Sequence, residues 1–371
     1  MPAARSLVSP TSNALLEKAL RDKLARRNEV GGSLGELEPL AIRLGLMQNS
    51  LKPRFRAPHL LVFAADHGLA VDGIAAPGEG SSHLTRATRE TVRQLLTNQL
   101  PLTAFARAQL LEVTLVDCGV AEDLPAHERM LARKIAHGTR NCRVSAAMSL
   151  EQAHAGMRAG MEIGDKLRGN ATILAGIGVG AHESAALVLS RLTDSPVRDL
   201  VISGPAMDPQ RLAHLLAVLQ AAQARHQNVV EPIEVLATFG GFEVAVMVGV
   251  MLMAASKRHL LIIDGMAACA ALMVAQRIAQ PVTDYCVFCR SLSHRGLDAA
   301  LNLFRASALL ELGMESTDGT GATLAWPMVR SAAALLTEVA DGEDPGPTLP
   351  AELDEPESIG SPPAQLGPAL Y

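Results

Sequence analysis

The chain has 371 residues, enough to bury one large core or two modest ones. Hydrophobic residues make up 49% but aromatics only 3%, so Ala, Leu, Val, Ile and Met must build the interior. The net charge of −5, with both signs mixed along the chain, excludes a nucleic-acid surface and a polybasic membrane anchor.

Residues 13–48 read as helices that fold back on the C-terminal helices as a smaller second layer. Short, β-branched-rich apolar runs then recur at His59–Asp66, Leu111–Asp117, Ala171–Ala175, Leu200–Ser203, His259–Asp264 and Val282–Phe288. They mostly lack polar alternation, as strands buried on both faces do. Helical segments lie between them at Ser149–Leu167, Asp208–His226 and Ala268–Ala279, and a last helix is expected at Met328–Ala340. The apolar stretch Val244–Ala275 is divided by Ser256-Lys257-Arg258-His259. Each piece is shorter than the ~20 residues of a membrane span, so it reads as helix, tight turn, buried strand and second helix.

Strands alternating with helices predict an α/β fold: a three-layer, mostly parallel, Rossmann-like sheet with helices on both faces. The domain is expected to run over residues 1–340, with a helical subdomain from about 10–50 and 300–340. Residues 341–371 are rich in Pro, Asp, Glu and Gly and read as a disordered tail. In parallel sheets ligands bind beyond the carboxyl ends of the strands, where Asp66, His67, Asp117, Asp264 and Gly265 would gather.

The five cysteines are odd in number, and no charged start, apolar run and cleavage site opens the chain. Free thiols in a reducing cytoplasm are the expectation. Cys286 and Cys289 form one C-x-x-C without a second pair, which reads as two packed thiols rather than a zinc site.

Glycine clusters carry the chemistry. Gly176, Gly178 and Gly180 follow the Ala171–Ala175 run and precede a helix starting near His182. Freed backbone N–H groups at such a helix start make an anion cradle. The spacing and late position do not fit a dinucleotide-binding G-x-G-x-x-G, so a dehydrogenase is set aside. Asp318, in D-G-T-G-A, reads either as a carboxylate base or as the cap of the helix after it. Asp66-His67-Gly68 closes a strand without further ligands at metal-binding spacing, and Glu243 begins an apolar helix where the helix dipole favours an acid.

In order, the segments GGSLGELE (Gly31–Glu38), AADHG (Ala64–Gly68), VDCGV (Val116–Val120), GIGVGAHESAA (Gly176–Ala186), FGGFEVA (Phe239–Ala245), IIDGMAACAAL (Ile262–Leu272) and DGTGATLA (Asp318–Ala325) resemble nicotinate-nucleotide–dimethylbenzimidazole phosphoribosyltransferases. That family prepares the lower ligand of cobalamin. The resemblance covers roughly residues 10–340. It implies a homodimer that uses nicotinate mononucleotide and a benzimidazole-like base, with no cofactor and no metal. It places the mononucleotide and its phosphate at Gly176, Gly178, Gly180, Gly204, Asp208, Asp264, Gly265, Arg290 and Ser291. The base falls at Asp66, His67, Thr85 and Gly319, and Asp318 is the proton acceptor.

The chain departs from the family pattern at several points. Gly176 stands where G-E-M-G-I-G-N-T-T has glutamate, and Ala181-His182-Glu183 replaces its Asn-Thr-Thr. Asp318 replaces the glutamate of G-E-G-T-G-A, Thr85 a glutamine and Cys289 a histidine. The Ser203–Asp208 loop is reduced, and His214 or Leu215 stands near an expected lysine. A relative with altered chemistry, acting as a partner subunit or small-molecule binder, is the alternative expectation.

Overall fold

The structure, a computed structural model, describes residues 7–74, 88–201, 208–291 and 295–339. Helices α1 (Ala14–Gly31) and α2 (Leu37–Gln48) lead into β1 (His59–Ala65). Then come α3 (Thr88–Leu96), α4 (Pro101–Ala108), β2 (Glu112–Gly119), β3 (Met130–Ala132), α5 (Leu150–Lys166) and β4 (Ala171–Ile177). Helices α6 (Ala181–Thr193), α7 (Val197–Val201), α8 (Pro209–Arg225), α9 (Pro232–Phe239) and α10 (Phe242–Ser256) precede β5 (Leu260–Asp264). The chain continues through α11 (Met266–Ile278), β6 (Cys286–Cys289), α12 (Arg295–Leu303) and α13 (Thr320–Thr337).

The six strands form one parallel sheet in the order β3-β2-β1-β4-β5-β6. β1, β4 and β5 are apolar and almost wholly buried, as the unbroken runs predicted. The direction of winding reverses between β1 and β4, so a crevice opens at their carboxyl ends. Helices α5 and α10 pack so closely that a Cβ on Gly160 would lie 1.9 Å from the Val246 carbonyl oxygen. The aromatic-poor composition permits this, because Ala and Gly let helix backbones approach. At the other edge, α1 and α2 pack on α13 to form the helical layer expected from the two ends of the chain. Arg258, in the turn after α10, donates to the carbonyls of Leu46 (2.9 Å) and Met47 (2.8 Å) and so ties α2 to the sheet.

Three expectations need correction, and one element was unforeseen. Within the run Leu200–Ser203, the described residues Leu200 and Val201 are helix rather than strand: α7 ends at Val201, and its buried residues Val197, Leu200 and Val201 have the i, i+3, i+4 spacing of one helix face. Within Val282–Phe288, a 3₁₀ turn over Gln280–Tyr285, opened by Pro281, leaves only Cys286–Cys289 in the sheet. The final helix begins at Thr320, eight residues before Met328, and holds Pro327 within it. The short edge strand β3 was not foreseen; its apolar run, Met130-Leu131-Ala132, is only three residues long, half-exposed or exposed, and flanked by Arg129 and Arg133.

The stretch Val244–Ala275 does fold as helix, turn, strand and helix. Among the described residues, no helix is long and apolar enough to cross a membrane. All five cysteines are free and buried. The 341–371 tail lies outside the described residues.

Candidate active site

The crevice floor is built by the segments that leave β1, β4, β5 and β6. After β1, Asp66 accepts a 2.7 Å hydrogen bond from the Ala121 N–H and a short one from the Thr88 hydroxyl. Thr88 Oγ1 in turn accepts from the Val179 N–H at 3.0 Å. One carboxylate thus links the β1 end, the start of α3 and the glycine loop. His67 donates its backbone N–H to the Val179 carbonyl (3.2 Å), and its ring turns inward to Glu243.

His67 Nε2 lies 3.0 Å from Glu243 Oε1, with side-chain exposures of 2% and 0%. The contact is an ion pair outside hydrogen-bonding angles, so His67 Nε2 and both Glu243 oxygens have no hydrogen-bond partner among the described residues. Burial opposes protonation of His67, but the Glu243 charge, helped by Asp66 and Glu183, outweighs it and raises the imidazole pKa. Glu183, in the first turn of α6, is raised by its own burial, and the charges of His67 and Arg211 offset this only in part.

The glycines serve backbone contact. Gly176 is not in the loop but inside β4, where a Cβ would stand 2.6 Å from Ala267 Cβ and 3.9 Å from Glu243 Cγ. A glutamate there has no room beside Ala267. A Cβ on Gly178 would lie 1.8 Å from the Ala65 carbonyl oxygen. Glycine at 178 is therefore required by strand-to-strand approach whatever the loop binds. Gly180, at φ +84°, caps α6 from the left-handed region that favours glycine. Even Gly178→Ala should lower the melting temperature by several degrees, since overpacking typically costs about 1–3 kcal/mol. Thermal unfolding checks this; an unchanged melting temperature would show that β1 yields freely.

At the next strands Asp264, fully buried, accepts from Ser291 N–H (3.0 Å), Ser291 Oγ–H (2.6 Å) and Ala322 N–H (2.9 Å). Ser291 Oγ also accepts from Gly321 N–H at 2.6 Å. These two side chains supply the cap that α13 lacks within itself. Asp318 does not cap it: the cap position is Gly319, at φ +91°, and Asp318 accepts no hydrogen bond from the first turn among the described residues. Instead its carboxyl rests on Gly265, where a Cβ would meet Asp318 Oδ2 at 1.9 Å. Oδ2 is buried and has no hydrogen-bond partner among the described residues. Burial, reinforced by the neighbouring Asp264 charge, pushes the Asp318 carboxyl well above the usual carboxylate range.

The remaining predicted residues are engaged within the fold. Arg290 pairs with Asp298 (2.5 Å) and Glu311 (2.9 Å). Asp208 caps α8 by accepting from Gln210 and Arg211 N–H, both at 3.0 Å. His214 binds the Asp72 carbonyl at 2.7 Å. Asp117 accepts from Val120 N–H (3.0 Å) and pairs with Lys134 at 3.3 Å. Thr85 and Gly204 lie outside the described residues. Among the described residues, no group of three His, Cys, Asp or Glu is placed to hold a metal ion. Sequence reasoning missed the His67–Glu243 pair and the Thr88 link. The sole signal was the acid in G-G-F-E, and nothing local tied it to a histidine 176 positions earlier.

The chain is similar to known proteins along most of its length. A phosphoribosyltransferase family model matches residues 9–346. A nicotinate-nucleotide–dimethylbenzimidazole phosphoribosyltransferase of Cupriavidus taiwanensis is 40% identical over 340 residues, covering 90% of this chain and 95% of the relative. One of Variovorax paradoxus is 36% identical, covering 91% and 95%. The crystal structure of CobT from Thermus thermophilus superposes with a TM-score of 0.80 at 28% identity, over 87% of this chain and 96% of that one. On these matches and the shared fold, the chain belongs to the nicotinate-nucleotide–dimethylbenzimidazole phosphoribosyltransferase family.

Proposed function

We propose that the chain transfers the phosphoribosyl group of nicotinate mononucleotide to dimethylbenzimidazole or a related base. The products are the α-riboside 5′-phosphate and nicotinate, for assembly of the cobalamin nucleotide loop. The observation that carries this reading is Asp318: a buried carboxyl with one oxygen unpartnered among the described residues, at the crevice end of β5. The names of the relatives and the family model support the substrate class.

The steps balance without a cofactor. A ring nitrogen of the base attacks the anomeric carbon as the bond to nicotinate breaks. The released electron pair neutralises the cationic pyridinium, so the leaving group needs no acid. The base's N–H proton passes to Asp318. Asp318 must be ionised to accept it, and its dry, like-charged surroundings disfavour that. The pyridinium of the bound nucleotide supplies the opposite charge that favours ionisation. Most of the acceleration comes from holding the two partners in line. The glycine loop Gly178–Gly180 and the α6 N-terminus cradle the phosphate, and Asp66 and His67 set the floor beneath the base.

We further infer a homodimer, as the family resemblance suggests, working in the cytoplasm, as the five free cysteines suggest. The test is incubation of the protein with nicotinate mononucleotide and a panel of benzimidazoles and purines, with nicotinate followed by chromatography. Base-dependent release is expected. No release with any base would overturn the assignment and favour a partner subunit or small-molecule binder.

A further inference from the structure

A second charged cleft, of about 540 Å³, lies between residues 53–56 and the last turns of α13. These residues precede β1, so the cleft sits at the end of the sheet opposite the crevice. We propose that it receives this chain's own acidic C-terminal segment, beginning with the carboxylates of Asp341, Glu343 and Asp344.

The wall formed by residues 53–56 is held rigidly although it belongs to no strand. Arg54 donates its N–H to Gln48 Oε1 at 2.7 Å, and its carbonyl accepts from Gln48 Nε2 and Asn170 Nδ2, both at 2.8 Å. Arg56 N–H donates to Asn170 Oδ1 at 2.7 Å, and its carbonyl accepts from Asn170 N–H at 3.2 Å. Phe55, between the two arginines, packs on the core. Arg54 and Arg56 both line the cleft. Across the cleft, α13 contributes Arg330. All three arginines are exposed, and none has an ion-pair or hydrogen-bond partner for its guanidinium among the described residues. Glu338 is the one acid in the lining among the described residues. Three guanidiniums gathered on fixed backbone form an anion-binding surface, and each presents a fork suited to a carboxylate.

The occupant follows from where the chain leaves. α13 ends at Thr337, which itself lines the cleft. Residues 340–371 carry seven acids and no lysine or arginine. Asp341, Glu343 and Asp344 come three, five and six positions after Glu338. At about 3.3 Å per extended residue their reach is roughly 10–20 Å, which covers the cleft. So short a tether gives an effective concentration on the order of millimolar, enough for individually weak pairs to form. Exposed pairs are screened by salt, so this association loosens as ionic strength rises.

The test uses the full chain. All five native cysteines are buried, so Gly346→Cys offers a single reactive thiol for a nitroxide label. At about 0.01 M salt the label's electron-spin spectrum should show a restricted component. That component should vanish at about 1 M salt, and in an Arg54→Glu, Arg56→Glu, Arg330→Glu chain at low salt. The salt titration of the native chain stands by itself if the triple variant folds poorly. A freely mobile label in the native chain at low salt would overturn the proposal. So would a restricted component that disappears on dilution, which would assign the cleft to a second copy.

Discussion

Asp318→Asn should cut nicotinate release by about 10²-fold or more while nucleotide binding persists, because an amide cannot take the base's proton. Its effect on stability should run the other way. Asp318 has a raised pKa in the fold, so the native state holds a proton that the unfolded chain gives up once pH passes the ordinary carboxylate value. Native stability from this group is therefore lost as pH rises through that window. Asparagine carries no charge to desolvate beside Asp264, so the variant should unfold at a temperature no lower than the native chain, with its largest advantage at high pH. Asp318→Glu keeps the charge and should retain turnover well above the asparagine variant. Chromatographic rates and thermal unfolding at several pH values measure both effects. Near-native turnover in Asp318→Asn would remove Asp318 as the base.

Glu243→Gln should be the most damaging change to the fold. It strips the partner from a buried imidazolium, and breaking a buried pair in this way typically costs about 3–5 kcal/mol. That is a large share of the roughly 5–15 kcal/mol that holds a typical domain. The loss should depend on pH. His67 has a raised pKa, so its contribution is fully present below the unfolded value near 6.5 and fades as pH rises through the folded one. Native and variant stabilities should therefore converge at alkaline pH, where His67 is neutral in both. Urea unfolding from about pH 5 to 9 gives the two curves. A constant difference across that range would mean that the pair is not ionised in the fold.

The sheet was legible because its central strands are buried on both faces, and unbroken apolar runs such as His59–Asp66 and His259–Asp264 have few other uses. Leu200–Ser203 misled because four apolar or small residues suit a helix face as well as a strand. The helix expected after Asp318 and the one expected at Met328–Ala340 prove to be a single helix, because Pro327, which looks like a breaker, sits inside it, while Gly321 is needed for close approach to the Arg290 carbonyl. The family motifs brought Asp66, His67, Asp264, Gly265, Ser291 and Asp318 to one end of the sheet. They did not distinguish groups free to meet a ligand from groups consumed by the fold. Asp264 and Ser291 spend their hydrogen bonds on α13, and only the three-dimensional partner list reveals that.

Four glycines of the crevice floor share one property: the place a side chain would take is already filled. Gly176 faces Ala267, Gly178 the Ala65 carbonyl, Gly241 the Glu243 carboxylate and His67 ring, and Gly265 the Asp318 carboxyl. In this chain such a floor leaves little slack: even the glutamate of the family pattern at Gly176 would now collide with Ala267. A mutation there changes the scaffold before it changes the ligand, so a lineage shifting from one acceptor base to another has to do so from the rim. Directed evolution of acceptor choice should follow the same route, holding these four positions fixed and varying the loops that cross above them.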